Sequence, residues 1–444
     1  MYAGPRGLAI KILNRVERTD SYLDKLLDAE LRSTELADVD KGLLAEIVHG
    51  VMRWQGRLDW VLNGFTHGNF SKSEINIKNT LRVALYQIMF LTQVPHYASV
   101  NEAVEFMKRI RGERSANMVN AVLRNIIRSI QSIHYPKIED DPVQYLSVYY
   151  SHPQWMVRRW SKRFDREELE KMLAANNEIP GLTLRINKLK VLPAEFLSLL
   201  DHEHVAYSGS SYIDYFIRVK SLSGISQMNI FQSGMFSIQD ESAALPVLLL
   251  NLQATDRVID MCAAPGGKTT FIAELMKNQG CILAVDKYES KLKLITSSCD
   301  RLGIKNVQTI VADANDLVTE PADKVLVDAP CSGLGVLRKK PDMRWKREPE
   351  DVLRLAGQQL RLLESGARLL KPGGVMVYST CTTEPEENMG VVDEFLKRHT
   401  EFALDDASKY VSSTVVTSGG WVETFTHRHH VDGSFAARLV KAAG

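Results

Sequence analysis

The amino-acid sequence predicts a multidomain protein with an all-α N-terminal domain, a small α+β linker module and a C-terminal α/β domain. The first observation is length, because 444 residues exceed the roughly 250–300 at which a single hydrophobic core stops growing. The second is an apolar repeat of three to four residues through 1–130, which is typical of helices. The third is an alternation of strand-like and helix-like segments through 236–444. Residues 131–235 mix both patterns and form the module between these domains.

About six helices are predicted in the N-terminal domain, because short polar connections with Gly, Ser or Pro separate its apolar segments. In the last segment one apolar stripe is formed by Met118, Val119, Val122, Leu123 and Ile126. Lys and Arg outnumber Asp and Glu by 11 to 5 over residues 51–130, although the whole chain has a net charge of only +1. Such a basic region suits a polyanionic partner, and an ordinary solvated helical surface explains it equally well.

Bulk composition argues against several classes of protein. With 45% hydrophobic and 25% charged residues the chain is typical of globular proteins, and no apolar run reaches the roughly 18 residues of a membrane span. The N-terminal region carries scattered charges and no unbroken apolar core, so we expect a cytoplasmic protein without a secretory signal. Five cysteines without a C-x-x-C pair favour neither a disulfide framework nor a zinc site. We expect no metal at His427, His429 and His430, because partner ligands at metal spacing are missing.

The C-terminal domain is predicted to contain a doubly wound, mainly parallel sheet with helices on both faces. Its strand-like segments are DRVIDMC, CILAVD, NVQTIVAD, KVLVDAP and GGVMVYST. In such sheets ligands bind beyond the carboxyl ends of the strands. The residues that follow each strand are therefore the candidates for function.

A glycine-containing turn after the first of these strands is the first candidate ligand site. Its residues are Cys262, Ala263, Ala264, Pro265, Gly266, Gly267 and Lys268. Glycines let the backbone approach a ligand closely, and the helix that follows offers unpaired N–H groups and the positive end of its dipole. A P-loop needs a glycine where Cys262 stands, and the G-x-G-x-x-G dinucleotide motif is also absent. A tight turn without a ligand would use the same glycines.

Aspartates follow the next three strands. Asp286 comes twenty residues after Gly266, where an acid can accept hydrogen bonds from ribose hydroxyls. Asp313 follows the third strand and can accept a hydrogen bond from an adenine amino group, and Asp328 ends the fourth. Each is a weak signal alone, because Asp often terminates strands in turns. Together with the glycine turn they suit an adenosine that carries a charged methionine tail.

Two cysteines fall at the same edge of the predicted sheet. Cys331 follows the fourth strand within Asp-Ala-Pro-Cys, and Cys381 follows the fifth within Ser-Thr-Cys-Thr. A helix is predicted to begin just after Cys381 with Pro385 in its first turn, and a helix N-terminus lowers the pKa of a nearby thiol. Either cysteine alone could be a small buried hydrophobic residue. Two of them on ligand-side loops favour a chemical role.

These motifs resemble those of RNA 5-methylcytosine methyltransferases over roughly 236–444. The resemblance rests on the Cys262–Lys268 turn, on Asp328–Cys331 with the later Arg-Lys-Lys-Pro-Asp, and on Thr380-Cys381 with Pro-Glu-Glu-Asn. The N-terminal domain resembles the RNA-binding fold of the NusB antitermination factor, and this pairing is similar to the bacterial Sun/Fmu family, which modifies small-subunit ribosomal RNA. The resemblance implies a Rossmann-like S-adenosylmethionine-dependent methyltransferase domain. It further implies methyl transfer to C5 of a cytosine in 16S ribosomal RNA through a covalent Cys–cytosine C6 intermediate.

The same resemblance implies roles for individual residues. Cys381 is the nucleophile, and Cys331 assists release of the product. Asp328 contacts the N3 and N4 edge of the cytosine and, if protonated, donates a proton. The implied cofactor-binding residues are Cys262–Lys268, Asp286, Asp313 and Asp328. In DNA cytosine-5 methyltransferases the Pro-Cys cysteine is the nucleophile, which would reverse the roles of Cys331 and Cys381.

Two basic clusters with tryptophans are expected to contact RNA, because cations pair with phosphate and aromatic rings stack on bases. They consist of Arg338, Lys339, Lys340, Arg344, Trp345, Lys346 and Arg347, and of Trp155, Arg158, Arg159, Trp160, Lys162 and Arg163. The alternative is a solvated surface with buried tryptophans. We expect 16S ribosomal RNA, unassembled or in a loop region, as the partner of a monomer. Transfer RNA as the substrate, or a non-catalytic RNA-binding or antitermination function, are the other readings.

Overall fold

A computed structural model describes residues 2–19, 21–66, 68–220, 222 and 224–444. Its α-helices are α1 (Gly4–Arg18), α2 (Leu23–Ser33), α3 (Asp38–Phe65), α4 (Ile75–Phe90), α5 (His96–Arg111), α6 (Glu113–Ser129), α7 (Pro142–Tyr149), α8 (Gln154–Trp160), α9 (Arg166–Ala175), α10 (Pro193–His202), α11 (Asn229–Gln232), α12 (Glu241–Leu248), α13 (Gly267–Leu275), α14 (Glu289–Leu302), α15 (Met343–Lys346), α16 (Pro349–Arg368), α17 (Met389–Arg398) and α18 (Thr426–His429). Its strands are β1 (Leu182–Ile186), β2 (Tyr207–Gly209), β3 (Phe216–Val219), β4 (Phe236–Ile238), β5 (Arg257–Met261), β6 (Cys281–Asp286), β7 (Val307–Val311), β8 (Ala322–Asp328), β9 (Leu370–Thr380), β10 (Phe402–Asp405), β11 (Val422–Thr424) and β12 (Ser434–Lys441).

The chain folds into two compact units. The first consists of Met1–Glu178 together with Leu337–Arg347, and the second of Ile179–Val336 together with Glu348–Gly444. The segment 131–235, predicted as the middle module, is divided between them, since α7 to α9 belong to the first unit and β1 to β3 to the second. The eleven residues that follow the Cys331 loop also belong to the first unit.

Helices α1 to α6 enclose the apolar core of the first unit, as the apolar repeat predicts. From α6 this core receives Val119, Val122, Leu123 and Ile126. Met118, which we had included in the same stripe, is 37% exposed. Adjacent residues of a helix point about 100° apart, so Met118 and Val119 cannot both face the core squarely.

A buried arginine anchors residues 337–347 in the first unit. Arg344 is fully buried, and its guanidinium donates hydrogen bonds to the backbone oxygens of Arg53 at 3.2 Å, Ser151 at 2.9 Å and Asn176 at 3.1 Å. It also donates to the side-chain oxygen of Asn177 at 2.9 Å. Burial lowers the pKa of Arg344 to about 9. The cation is therefore held by neutral oxygens at its two terminal nitrogens, while its buried Nε has no hydrogen-bond partner among the described residues.

The expectation that Arg344, Trp345 and Trp160 contact RNA is wrong, because these side chains are engaged inside the first unit. The indole N–H of Trp345 donates to the carbonyl of Met52 at 2.6 Å, and its ring packs against the core of α1 to α6. Trp160 is fully buried. An RNA-contacting role of the remaining residues in the two basic clusters stays a prediction.

We expect Arg344→Met to destabilise the first unit by about 3 kcal/mol or more, because hydrogen bonds to a charged group contribute roughly 1.5–3 kcal/mol each and their loss leaves buried carbonyls unpaired. Urea unfolding followed by tryptophan fluorescence measures this, since five of the six tryptophans belong to the first unit and only Trp421 to the second. The control is Lys171→Met, which removes an exposed lysine paired with Glu167 at 2.6 Å. Equal unfolding curves for both variants would contradict the anchoring role.

The second unit contains a small antiparallel sheet and a large mixed sheet. The small sheet has the order β2-β3-β1-β4. The large sheet has the order β10-β12-β9-β8-β5-β6-β7, and β11 pairs with β12. Strands β5 to β9 pair in parallel, as predicted, whereas β12 runs antiparallel to β9, β10 and β11. The sequence analysis did not identify β10 to β12, of which β10 and β11 have only four and three residues.

Candidate active site

Parallel pairing brings the ends of neighbouring strands to one edge of the large sheet. The register pairs Met261 of β5 with Val327 of β8, and Asp328 of β8 with Ser379 of β9. The glycine turn after β5, the aspartate that ends β6 and both cysteine loops leave from these strand ends. The residues predicted for the site therefore share one edge, as the rule for ligand sites in such sheets requires.

The turn after β5 has a backbone shape that depends on glycine. Cys262 and Gly266 have φ angles of 70° and 104°. A side chain at Gly266 would be strained by this φ and would lie only 3.1 Å from Ile295. The N–H of Ala263 donates to Val285 of β6 at 2.8 Å, which fixes the turn to the sheet. Helix α13 begins at Gly267, so its unpaired N–H groups lie at the same edge.

Arg185 of β1 supports this turn, a role that the sequence analysis missed. Its fully buried guanidinium donates to the carbonyl of Gly267 at 2.8 Å and to Thr270 Oγ1 at 3.0 Å, and it pairs with Glu274 of α13 at 2.7 Å. The only signal in the sequence is a charged residue within the apolar strand LTLRI. The hydrogen bonds hold the start of α13, and the ion pair holds its end, against the small sheet.

Aspartates make the surroundings of the turn strongly negative. Burial, followed by the charges of Asp328, Asp260, Asp286 and Asp313, raises the pKa of Cys262 to about 12. The same electrostatic potential favours a bound cation over an anion. These carboxylates suit a ligand with a positively charged tail.

Asp286 and Asp313 are oriented by hydrogen bonds from their own loops. One oxygen of Asp286 accepts the N–H of Tyr288 at 3.0 Å. One oxygen of Asp313 accepts the backbone N–H of Asn315 at 3.0 Å, and the other lies 3.4 Å from the ammonium of Lys287. The hydrogen bond from the Asn315 backbone lowers the pKa of Asp313. The Asp313 carboxylate is therefore ionised at neutral pH and available as an acceptor.

Asp260, which precedes Met261 in β5, is expected to make the free energy of unfolding depend on pH. Burial raises its pKa from 3.8 to about 7, although it accepts a hydrogen bond from Thr269 Oγ1 at 2.6 Å. Between these pH values the unfolded chain ionises first, so the free energy of unfolding falls as pH rises from about 4 to 7 and is level above 7. We expect Asp260→Asn to gain stability relative to the parent over this range, by on the order of 4 kcal/mol in total. Urea unfolding of both proteins from pH 4 to 8, followed by amide exchange of β5 and β6, measures the difference in their free energies of unfolding. A difference that stays constant over this pH range would contradict the raised pKa of Asp260.

The two cysteines are in direct contact. Their sulfur atoms lie 3.2 Å apart, and the backbone N–H of Cys381 donates to Cys331 Sγ at 3.3 Å. The hydrogen bond between the thiols lowers the pKa of Cys381 and raises that of Cys331 well above its usual value. The ammonium of Lys268 also lowers the pKa of Cys381. The pair is thus polarised: the shared hydrogen bond favours the thiolate form at the exposed Cys381 over the partly buried Cys331.

An ion pair joins the glycine turn to the end of β8. Lys268 Nζ lies 2.6 Å from one oxygen of Asp328, and the hydroxyl of Ser379 donates to the other oxygen at 2.9 Å. Although burial opposes it, Asp328 raises the pKa of Lys268. Both carboxylate oxygens of Asp328 therefore already accept from donors of this site. The arrangement therefore suits Asp328 as a hydrogen-bond acceptor.

The helix after Cys381 begins later than we predicted. Residues 382–384 are irregular and 385–388 form a turn, α17 starts at Met389, and Pro385 lies outside it. Asn388 holds this segment, since it accepts from Thr380 Oγ1 at 2.6 Å and donates to the carbonyl of Thr382 at 3.1 Å. The lowered pKa of Cys381 therefore has the neighbouring thiol and Lys268 as its causes, rather than a helix dipole.

Comparisons with known proteins match every part of this architecture. The family model for the 16S rRNA methyltransferase RsmB/F matches residues 247–440, the NusB family matches 4–128, and the ferredoxin-like domain of the RsmF/B-like methyltransferases matches 152–225. The chain is 37% identical to the "Probable ribosomal RNA small subunit methyltransferase B" of Bacillus subtilis (strain 168), over 98% of each chain. The chain belongs to the ribosomal RNA small subunit methyltransferase B family.

Further similarity to this family extends over nearly the whole chain. A protein of Synechocystis sp. with the same printed name is 34% identical over 98% of this chain and 99% of its own. The crystal structure of PH0851 has a TM-score of 0.82 and 27% identity, and the match covers 99% of this chain and 100% of that one. The predicted fold is confirmed: a NusB-like helical domain, a small α+β module and a Rossmann-like methyltransferase domain. The chain is an S-adenosylmethionine-dependent RNA methyltransferase, and the P-loop alternative is excluded.

The strand-end residues fit S-adenosylmethionine on chemical grounds. The negative potential that raises the pKa of Cys262 attracts the positively charged sulfonium and ammonium groups of the cofactor. The carboxylates of Asp286 and Asp313 are the acceptors that a nucleoside's hydroxyl and amino groups need. Within the described ranges, no cluster of three or more His, Cys, Asp or Glu side chains could hold a metal ion. In the same part of the chain, no helix has the length and apolar character needed to cross a membrane.

Proposed function

We propose that this enzyme methylates C5 of a cytosine in 16S ribosomal RNA, with Cys381 as the nucleophile. The observation that carries the proposal is the polarised thiol pair, in which Cys381 Sγ has the lowered pKa and lies 3.2 Å from Cys331 Sγ. A thiolate is the reactive form of cysteine, so a lowered pKa marks the nucleophile. The names of the relatives, which are small-subunit ribosomal RNA methyltransferases, support the choice of RNA.

The first step adds the Cys381 thiolate to the ring. Its sulfur forms a bond to C6, and the electron pair of the C5=C6 double bond moves toward C4 and N3, which makes C5 nucleophilic. S-adenosylmethionine would supply the electrophilic methyl group that C5 takes up, and loss of its S–CH3 bond would leave S-adenosylhomocysteine. Splitting the reaction in this way replaces one difficult step by two easier ones, which is the general advantage of covalent catalysis.

The last step releases the product. A base removes the proton from C5, that electron pair restores the C5=C6 bond, and the electrons of the C6–S bond return to Cys381 Sγ. Cys331, whose raised pKa keeps it protonated, donates its hydrogen bond to the departing thiolate. This donor role agrees with the assistance in release that the family resemblance implies for Cys331.

In this proposal the Lys268–Asp328 ion pair links the bound cytosine to the cofactor-binding turn. The Asp328 carboxylate accepts a hydrogen bond from the N4 amino group of cytosine, and Lys268 stabilises negative charge at Cys381 and near N3. The proposed cofactor-binding residues are Cys262, Ala263, Ala264, Pro265, Gly266, Gly267, Lys268, Asp286, Asp313 and Asp328.

Bisulfite sequencing of total RNA from cells with and without this gene tests the proposed reaction and substrate. We expect one cytosine of 16S ribosomal RNA to resist conversion only when the gene is present, and complementation with Cys381→Ala not to restore resistance. A difference confined to transfer RNA would show that transfer RNA, rather than 16S ribosomal RNA, is the substrate. No difference in any RNA would favour the non-catalytic RNA-binding or antitermination reading. The monomeric state, the cytoplasmic location and the boundaries 1–130, 131–235 and 236–444 also stay predictions.

A further inference from the structure

A buried carboxylate lies beside the cysteine pair and has no part in the steps above. Glu387 is fully buried in the segment between β9 and α17. One of its carboxylate oxygens accepts the backbone N–H of Ser332 at 2.8 Å and the side-chain N–H of Gln359 at 2.9 Å. Its backbone carbonyl accepts the hydroxyl of Tyr378 at 2.5 Å. The residue therefore contacts β9, α16 and the Cys331 loop at once.

The hydrogen bonds hold Cys331 from both sides. Ser332, which follows it, donates to Glu387, and the carbonyl of Pro330, which precedes it, accepts from the same side-chain nitrogen of Gln359 at 3.0 Å. Gln359 is itself fully buried on α16. Two fixed backbone groups on either side of one residue leave its side chain little freedom to move away from Cys381.

A negative charge on Glu387 lowers the stability of the fold, because the side chain is buried. Burial raises its pKa, and among the described residues no lysine, arginine or histidine forms an ion pair with it. Taking an ionised carboxylate out of water without a cation destabilises a fold, and such groups concentrate at functional sites. After the thiol hydrogen bond and burial, the charge of Glu387 contributes to the raised pKa of Cys331. The carboxylate therefore affects the thiol through its charge as well as through the loop.

We propose that Glu387 is the positioning residue of the release step: through Ser332 and Gln359 it holds the Cys331 thiol against Cys381, so that the thiol can donate its hydrogen as the C6–S bond breaks. The inference rests on the proposed function, in which Cys331 assists release. Glu387 itself contacts neither the cytosine nor the cofactor. Its removal should slow release much more than formation of the covalent bond.

Single-turnover reactions of the full chain with substrate RNA and S-adenosylmethionine test this directly. Denaturing gels measure covalent protein–RNA, and nucleoside analysis measures released product. We expect Glu387→Met, which removes the acceptor of both hydrogen bonds, to form the adduct at close to the parent rate and to release product at least tenfold more slowly, so that adduct accumulates. Gln359→Met, which removes the other half of the support and leaves the carboxylate in place, should likewise slow release and leave adduct formation close to the parent rate. A variant that slows adduct formation and release equally would overturn the inference, because that is the result of a general packing defect.

A double variant separates this inference from the function on which it rests. If Glu387 acts through Cys331, then Cys331→Ala combined with Glu387→Met should release product no more slowly than Cys331→Ala alone. Additive slowing would overturn the inference and leave the proposed function intact, whereas no adduct accumulation in Cys331→Ala alone would overturn both the inference and the release role proposed for Cys331. Glu394→Met is the matched control, since it makes the same chemical change at an exposed carboxylate of α17 that pairs with Arg398 at 2.7 Å. Accumulation of adduct in that variant would also contradict a specific role of Glu387.

Discussion

Replacing Cys381 with alanine is expected to abolish both methylation and covalent protein–RNA, with a loss of activity on the order of 10³-fold or more, as for other catalytic nucleophiles. The physical reason is that C5 cannot become nucleophilic unless a thiolate adds to C6. Replacing Cys331 with alanine should leave the nucleophile in place and remove the donor to the departing sulfur, so covalent protein–RNA should accumulate. Incubation with substrate RNA and cofactor, followed by a denaturing gel and a methyl-transfer assay, measures both quantities.

The matched control for these cysteine variants is Cys281→Ala. Cys281 begins β6, at the opposite end of that strand from Asp286, and its sulfur accepts a hydrogen bond from the Arg257 side chain at 3.9 Å. Its replacement should change neither adduct nor product. If Cys331→Ala abolished the adduct and Cys381→Ala accumulated it, the assignment would be reversed to the order found in DNA cytosine-5 methyltransferases.

Asp328→Asn is expected to lower the rate of methyl transfer by about 10²–10³-fold, the range typical for loss of one polar group that stabilises charge at a reacting centre. An amide cannot form the ion pair that Asp328 makes with Lys268 at 2.6 Å, and it is a weaker acceptor for the cytosine amino group. Single-turnover rates at saturating RNA and cofactor measure the effect on chemistry, and filter binding shows whether RNA affinity is retained.

Asp323→Asn provides the control for that substitution within the same strand. Asp323 lies near the start of β8, where its carboxylate pairs with Lys371 at 2.7 Å and accepts the N–H of Arg257 at 2.9 Å. The rate of methyl transfer should fall by orders of magnitude less in Asp323→Asn than in Asp328→Asn. Equal rates for the two variants would contradict a role of Asp328 in the reaction.

The cysteine contact was predictable from the sequence because it follows from topology. Cys331 and Cys381 are fifty residues apart, yet each comes just after a strand of a sheet that was expected to be parallel, and adjacent parallel strands end at one edge. The same argument located the glycine turn and the aspartates 286, 313 and 328. What topology could not supply was the polarity of the pair, which depends on a 3.2 Å contact and on Lys268.

The features that the sequence analysis missed depend on partners far away in the chain. Arg344 looked like an RNA contact because the sequence shows its charge, whereas the carbonyls that bury it come from residues 168 to 291 positions earlier. Glu387 lies in a recognised motif, but its bond to Ser332 spans 55 positions. The helix after Cys381 was predicted to start before its observed start at Met389, because Pro385 favours a helix start. The hydrogen bonds of Asn388 hold 382–388 outside the helix.

The most direct test of the account is to identify the cysteine that bonds to cytosine. RNA containing 5-fluorocytidine should trap the intermediate, because fluorine at C5 cannot leave as a proton does. Trypsin then separates the two candidates, since Cys331 lies in the peptide 325–338 and Cys381 in the peptide 369–397. The account predicts that mass spectrometry finds the methylated nucleotide on the Cys381 peptide. Its attachment to the Cys331 peptide would contradict the assignment of the nucleophile.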